Sequence, residues 1–158
     1  MPRDLCMKYY VMGIGLIVFD QLVKLLIRLN LAVGESINIL GDFFRITYVQ
    51  NRGAAFSILS GQRILLILLP VALIGAVLWH LHRSSRKHPL MYTSGMLIIC
   101  GGLGNLIDRA FFGFVTDMIS FSIFPPVFNV ADICITVGCF MFLLYALLED
   151  KLEKKDER

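Results

Sequence analysis

"FNVADICITVGCFMFLLYALL" (residues 128–148) decides the fold, because it is long and apolar enough to cross a bilayer yet carries Asp132 in the first turn of the helix it predicts. A second carboxylate, Asp117, lies only fifteen residues upstream. Working outward, three more stretches meet the same length test of about 20 residues, so spans are predicted at about 9–31, 64–81, 90–110 and 130–148. With 57% hydrophobic residues and a mean hydropathy of +0.73 over 158 residues, the composition excludes an ordinary soluble domain. Little chain is left between the spans, and residues 1–158 are expected to form one membrane-embedded domain. The first span follows a short basic start, as a secretory signal would, but Asp20, Lys24 and Arg28 interrupt its second half and no small-residue cleavage site follows. It is expected to be a retained anchor.

Charge placement orients the spans. Arg3 and Lys8 precede the first, Arg83, Arg86 and Lys87 sit between the second and third, and Lys151, Lys154, Lys155 and Arg158 follow the fourth. The positive-inside rule makes these three places cytoplasmic, so both termini face in and loops 32–63 and 111–129 face out. The mixed-charge tail "EDKLEKKDER" fits a solvated membrane boundary better than a nucleic-acid contact. Cys6, Cys100, Cys134 and Cys139 lack metal or redox spacing and read as reduced thiols. His80, His82 and His88 have no carboxylate partner nearby in sequence, so neither a metal nor a cofactor is expected.

Between the first two spans, Phe43, Phe44, Ile46, Tyr48 and Val49 favour a short outer strand or two. "GAAFSIL" suits a short helix lying at the lipid interface. Gly101, Gly102 and Gly104 would let another helix approach the third span closely. "FPPVFN" is expected to turn the chain, and Asn129 to cap the fourth span.

The orientation, fixed by loop charges alone, gathers the intramembrane polar residues at one face: Asp20, Lys24, Asn51, Asn105, Asp108, Arg109, Asp117, Asn129 and Asp132. Each has a bland reading. Asp132 could simply stabilise a helix start, Asp117 could be a solvated loop residue, and Asp20 and Lys24, four apart, could neutralise each other. Arg28 could snorkel to the interface, while Arg109 could neutralise Asp108 or meet lipid phosphate. None of these predicts convergence. A shared site does, and two carboxylates held close in low dielectric divide into one ionised and one protonated member. That pair suits peptide hydrolysis, in which the ionised group takes a proton from water and the neutral one donates to a carbonyl oxygen.

Five ordered blocks, "DQLVK" (20–24), "QNRGAAF" (50–56), "GGLGNLIDR" (101–109), "FVTDMISF" (114–121) and "FNVAD" (128–132), resemble the bacterial lipoprotein (type II) signal peptidases over essentially the whole chain. The resemblance implies a polytopic all-α membrane protein of four transmembrane helices, with a small extracytoplasmic β-cradle and a short interfacial helix. It implies a cytoplasmic-membrane aspartyl protease that cuts prolipoproteins before a diacylglyceryl-modified cysteine. Its partners would be lipid-modified prolipoproteins and membrane lipids. The catalytic pair falls on Asp117 and Asp132. Site support falls on Asp20, Lys24, Asn51, Gly53, Asn105, Arg109 and Asn129. A proton-coupled transporter using the same aspartates, and a lipid-binding scaffold using Arg109 and Arg28, are the alternatives.

Overall fold

A computed structural model describes residues 3–53, 61–84 and 88–156, with side chains over 7–53, 61–84 and 88–148. Four helices, α1 (Arg3–Asn30), α2 (Arg63–Arg83), α3 (Pro89–Phe111) and α4 (Val130–Asp156), are each long and apolar enough to cross a membrane. Four strands, β1 (Ser36–Leu40), β2 (Phe44–Asn51), β3 (Val115–Phe121) and β4 (Phe124–Phe128), form an antiparallel sheet in the order β1-β2-β3-β4. β1 and β2 connect α1 to α2, and β3 and β4 connect α3 to α4, so one sheet closes one end of the bundle. The predicted interfacial helix lies outside the described residues.

The helices are unequal. Just over half of the apolar window of α3 is buried, 56% against 17% for α1 and α2, so α3 is the hub and the others present Leu, Ile, Val and Phe to lipid. Glycine makes the hub approachable. A Cβ at Gly101 would overlap the backbone carbonyl of Ala131 on α4, and one at Gly104 would stand 2.7 Å from Oδ2 of Asp20 on α1. Away from the sheet, Ile74, Val77, Leu81, Met91, Ile98, Ile99 and Tyr145 pack into an apolar core. Pro70 is carried inside α2.

The strand or two expected between the first two spans are β1 and β2, and β3 pairs with β2 across the two connections to extend them into a four-stranded sheet. One local expectation changes. The segment "FPPVF" is a strand, not a turn. Consecutive prolines do exclude a helix, but β4 is an edge strand that pairs with β3 only at Ile119–Phe128 and Phe121–Phe124, leaving Pro125 and Pro126 where no ladder donor is needed.

Candidate active site

Strand pairing brings the first carboxylate in. Val49 faces Asp117 and Asn51 faces Val115 across β2 and β3, so Asn51 and Asp117 are diagonal neighbours on one sheet face. Asn51 Nδ2 donates to Asp117 Oδ2 at 2.9 Å. Helix capping brings the second. Asn129 precedes α4, its Oδ1 accepts the backbone N–H of Asp132 at 2.9 Å, and its own N–H donates to Asp132 Oδ2 at 3.2 Å. This is a reciprocal capping box, the role predicted for Asn129.

That cap also fixes which way the asparagine amide points. With Oδ1 held by the backbone, Nδ2 is free to donate to Asp117 Oδ1 at 2.6 Å and to Asn105 Oδ1 at 3.1 Å. Asn105 Oδ1 also accepts from Lys24 Nζ at 2.9 Å, which turns Asn105 Nδ2 toward Asp132 Oδ1, at 2.7 Å. Asn129 therefore touches both carboxylates, and every donor in the chain has a determined partner. Asp117 is buried, 1% exposed, whereas Asp132 is partly exposed.

A second cluster lies behind the first. Lys24 is fully buried, and its Nζ meets Asp20 Oδ2 at 2.9 Å and Asp108 Oδ2 at 3.4 Å as well as Asn105. Arg28 Nη1 stands 3.6 Å from Asp108 Oδ1 and donates to Thr116 Oγ1 at 3.0 Å, with its guanidinium 4.4 Å from the Phe112 ring centroid. Asp20 Oδ1 accepts the N–H of Ala131 at 2.9 Å, and Asp108 Oδ2 accepts the N–H of Thr116 at 2.9 Å. Asp20 thus holds the backbone of α4 beside Asp132, and Asp108 that of β3 beside Asp117.

Gly53 N donates to Asn51 Oδ1, and Arg109 Nη2 donates to the Gly53 carbonyl, both at 2.9 Å. All nine expected site residues therefore fall in one connected region. Several readings shift within it. Arg28 turns to Asp108 and Thr116, and Arg109 makes no ion pair with Asp108 among the described residues. Asp108 takes Lys24 and Arg28 instead, because α1 passes close to α3 at Gly104. Sequence reasoning gave no role to Gln21, whose Nε2 donates to Asp20 Oδ2, the Gly104 carbonyl and Asp108 Oδ1 at 3.1, 3.0 and 3.4 Å. Its place inside "DQLVK", one residue from Asp20, was the available signal. Thr116, adjacent to Asp117, was also missed.

The carboxylates face a cleft of about 490 Å³. Asn51, Asn105, Arg109, Asp117 and Asp132 supply its polar wall. Phe124, Pro126, Val127 and Phe128 of β4, with Ile133, Thr136 and Val137 of α4, supply a largely apolar one. Burial, then the charge of Asp132, pushes the Asp117 carboxyl up to about 7, against the lowering effects of the Asn51 and Asn129 hydrogen bonds and of Lys24. Among the described residues, no three His, Cys, Asp or Glu side chains group as metal ligands.

A family model described as signal peptidase (SPase) II matches residues 12–148. A lipoprotein signal peptidase of Halothermothrix orenii is 43% identical over 90% of this chain and 97% of its own length. One of Desulfitobacterium hafniense is 41% identical over 87% and 91%, and one of Streptococcus thermophilus 40% identical over 87% and 90%. A solved bacterial membrane enzyme superposes with a TM-score of 0.85 at 31% identity, covering 93% of this chain and 91% of that one. With two carboxylates held against one cleft and the match running through all four spans, this chain belongs to the signal peptidase II family.

Proposed function

We propose that this chain is a membrane aspartyl endopeptidase, a single peptidase domain over residues 1–158. It removes the signal peptide from diacylglyceryl-modified prolipoproteins by cutting before the lipidated cysteine. The observation that carries this reading is Asn129, which donates from its side chain to Asp117 and from its backbone to Asp132, holding two carboxylates against one cleft. In the resting enzyme the shared proton sits on Asp117, where burial favours the neutral form. Asp132, at the positive end of α4, is the ionised member.

A scissile carbonyl in the cleft accepts a hydrogen bond from protonated Asp117. Asp132 takes a proton from a water, whose oxygen adds to the carbonyl carbon. The tetrahedral intermediate then collapses as the C–N bond breaks and the amine nitrogen leaves with a proton from the dyad. Asn51 and Asn105 hold the two carboxylates apart from rotation, and Arg109 anchors the Gly53 backbone at the cleft rim. The apolar wall of β4 and α4 meets the substrate's hydrocarbon, and each buried methylene adds about 0.8 kcal/mol.

The enzyme lies in the bacterial cytoplasmic membrane with both termini inside and the sheet outside, the orientation favoured by its loop charges. The transporter alternative is not favoured: its relay needs stations through the membrane depth, whereas the buried charged side chains Asp20, Lys24, Asp108 and Asp117 gather at the sheet end. The test is cleavage by purified protein in micelles. A lipidated precursor should be cut before its modified cysteine, and the unlipidated peptide should be cut poorly. Equal cleavage of both would remove the acyl chains from recognition, and no cleavage of either would remove the reading itself.

A further inference from the structure

A second cavity, about 440 Å³, backs onto the first at the sheet end of the bundle and shares Asn51 and Arg109 with it. Its charged lining among the described residues is Arg52, Arg63 and Arg109, with no acidic residue. None of the three makes an ion pair among the described residues, although Arg109 also feels the carboxylates of Asp132, Asp117 and Asp108 from its other side. Among the described residues, the ion pairs are confined to Lys24–Asp20, Lys24–Asp108 and Arg28–Asp108. The sequence "AAFSILS" (54–60), which follows Gly53 in the chain, contains no acid. Arg63 Nη2 is occupied only by backbone carbonyls, those of Arg109 and Ala110 at 3.2 and 3.1 Å, and its guanidinium carbon lies 3.8 Å from where a Cβ at Gly113 would stand. Arg109 Nε is buried with no acceptor. Three guanidinium groups around one hollow repel one another unless an anion sits among them.

The cavity lies where α2 starts and α3 ends, at the membrane boundary, and Phe112, half exposed, stands in its wall. That is the depth of phospholipid headgroups. Guanidinium forks match the oxygens of a phosphate in pairs. We propose that this arginine cavity binds the phosphodiester of an anionic phospholipid in the sheet-side leaflet. Through Arg109, which also holds Gly53, the bound headgroup would steady the loop beside the cleft.

The test reads lipid retention rather than cleavage, so it is independent of the peptidase reading. Full-length protein in a neutral detergent is exposed to dioleoyl-phosphatidylglycerol or dioleoyl-phosphatidylcholine, and bound lipid is counted by native mass spectrometry. Phosphatidylglycerol should be retained preferentially. R52Q and R63Q should each weaken retention roughly fivefold, since one surface cation contributes about 1 kcal/mol to anionic-lipid binding. Arg52 has no hydrogen bond or ion pair among the described residues, so R52Q spares the fold. R63K keeps a charge and a donor for the α3 carbonyls, and should fall between wild type and R63Q. Equal retention of phosphatidylglycerol by wild type and the R52Q/R63Q double variant would overturn the site. Displacement of the lipid by inorganic phosphate at equal concentration would overturn its assignment to lipid.

Discussion

Two carboxylate pairs lie within the same few turns of this protein, and they are built to opposite ends. Asp20 and Asp108 are matched by Lys24 and Arg28, two acids against two bases, with Lys24 engaging two carboxylates and one amide oxygen. Asp117 and Asp132 take their hydrogen bonds from amides: Asn51, Asn105, and the side chain and backbone of Asn129. An amide satisfies a carboxylate's lone pairs without cancelling its charge. The first pair is therefore balanced by cations and ties α1 to α3, while the second has no cation in direct contact among the described residues and faces a cleft. Burial alone does not set the two pairs apart; the kind of partner does.

The sharpest way to break this distinction is to remove ionisation from the dyad while keeping its shape. D117N and D132N should each lower cleavage of a lipidated precursor by at least about 1000-fold, within the range that general acid–base catalysis contributes. Neither should lower the melting temperature in micelles much, because Asn fills the same space. Retained cleavage in either variant would place the chemistry elsewhere.

The opposite variant attacks the balanced pair. K24M leaves Asp20 and Asp108 short of a cation in a buried setting, a loss of about 3–5 kcal/mol when one member of a buried ion pair goes. Thermal unfolding in micelles should show that loss. Adding D20N to K24M should recover part of it, since the double variant removes an orphaned charge. If K24M unfolds like wild type but loses cleavage, Lys24 belongs functionally to the dyad and the comparison fails.

Much of this was legible in the chain. The four spans follow from apolar length, and the expectation drawn from loop arginines and lysines put the polar site residues at one end, so their meeting could be anticipated without coordinates, while Gly53 came only from the family resemblance. What could not be read was how the acids would sort. Asp108 neighbours Arg109 in sequence, yet it pairs with Lys24 and Arg28 because Gly104 lets α1 come against α3. Helical periodicity says which residues share a face but not which other helix that face will meet. The sheet was half visible for a similar reason. β2 announces itself by its β-forming residues, but β3 joins it only by pairing over a long separation, and β4, an edge strand beside β3, tolerates the prolines that suggested a turn.

Protonation gives a subtler separation of the two pairs. Asp117 holds its proton more tightly in the folded chain, at about 7, than an unfolded aspartate does at about 3.9. Below the unfolded value both states are protonated and the group is neutral in its effect. As pH rises from about 4 to about 7 the unfolded state ionises first, so this residue makes the fold progressively less stable. Unfolding midpoints measured across that window should fall in wild type, and D117N should remove its share of the fall. D132N should narrow the window from its upper end, because the charge of Asp132 is one of the causes that raise Asp117. A D117N profile that matches wild type would mean the residue carries no raised titration.

The smallest effect expected is at Arg28, where the two clusters touch through the backbone. Arg28 is only partly buried, and its ion pair with Asp108 is the longest of the three at 3.6 Å. Its firmer contact is the hydrogen bond to Thr116 Oγ1, one residue before Asp117, and Asp108 holds the N–H of the same threonine. R28Q should therefore cost about 1 kcal/mol or less of stability, the scale of a partly exposed ion pair. Its effect on cleavage should be modest and should act on β3 rather than on the proton. A fall in kcat with an unchanged pH profile would fit a strut that positions Asp117. A shifted profile would instead show that the charge of Arg28 reaches the dyad, and that the balanced cluster does not screen its own cations from the reactive one.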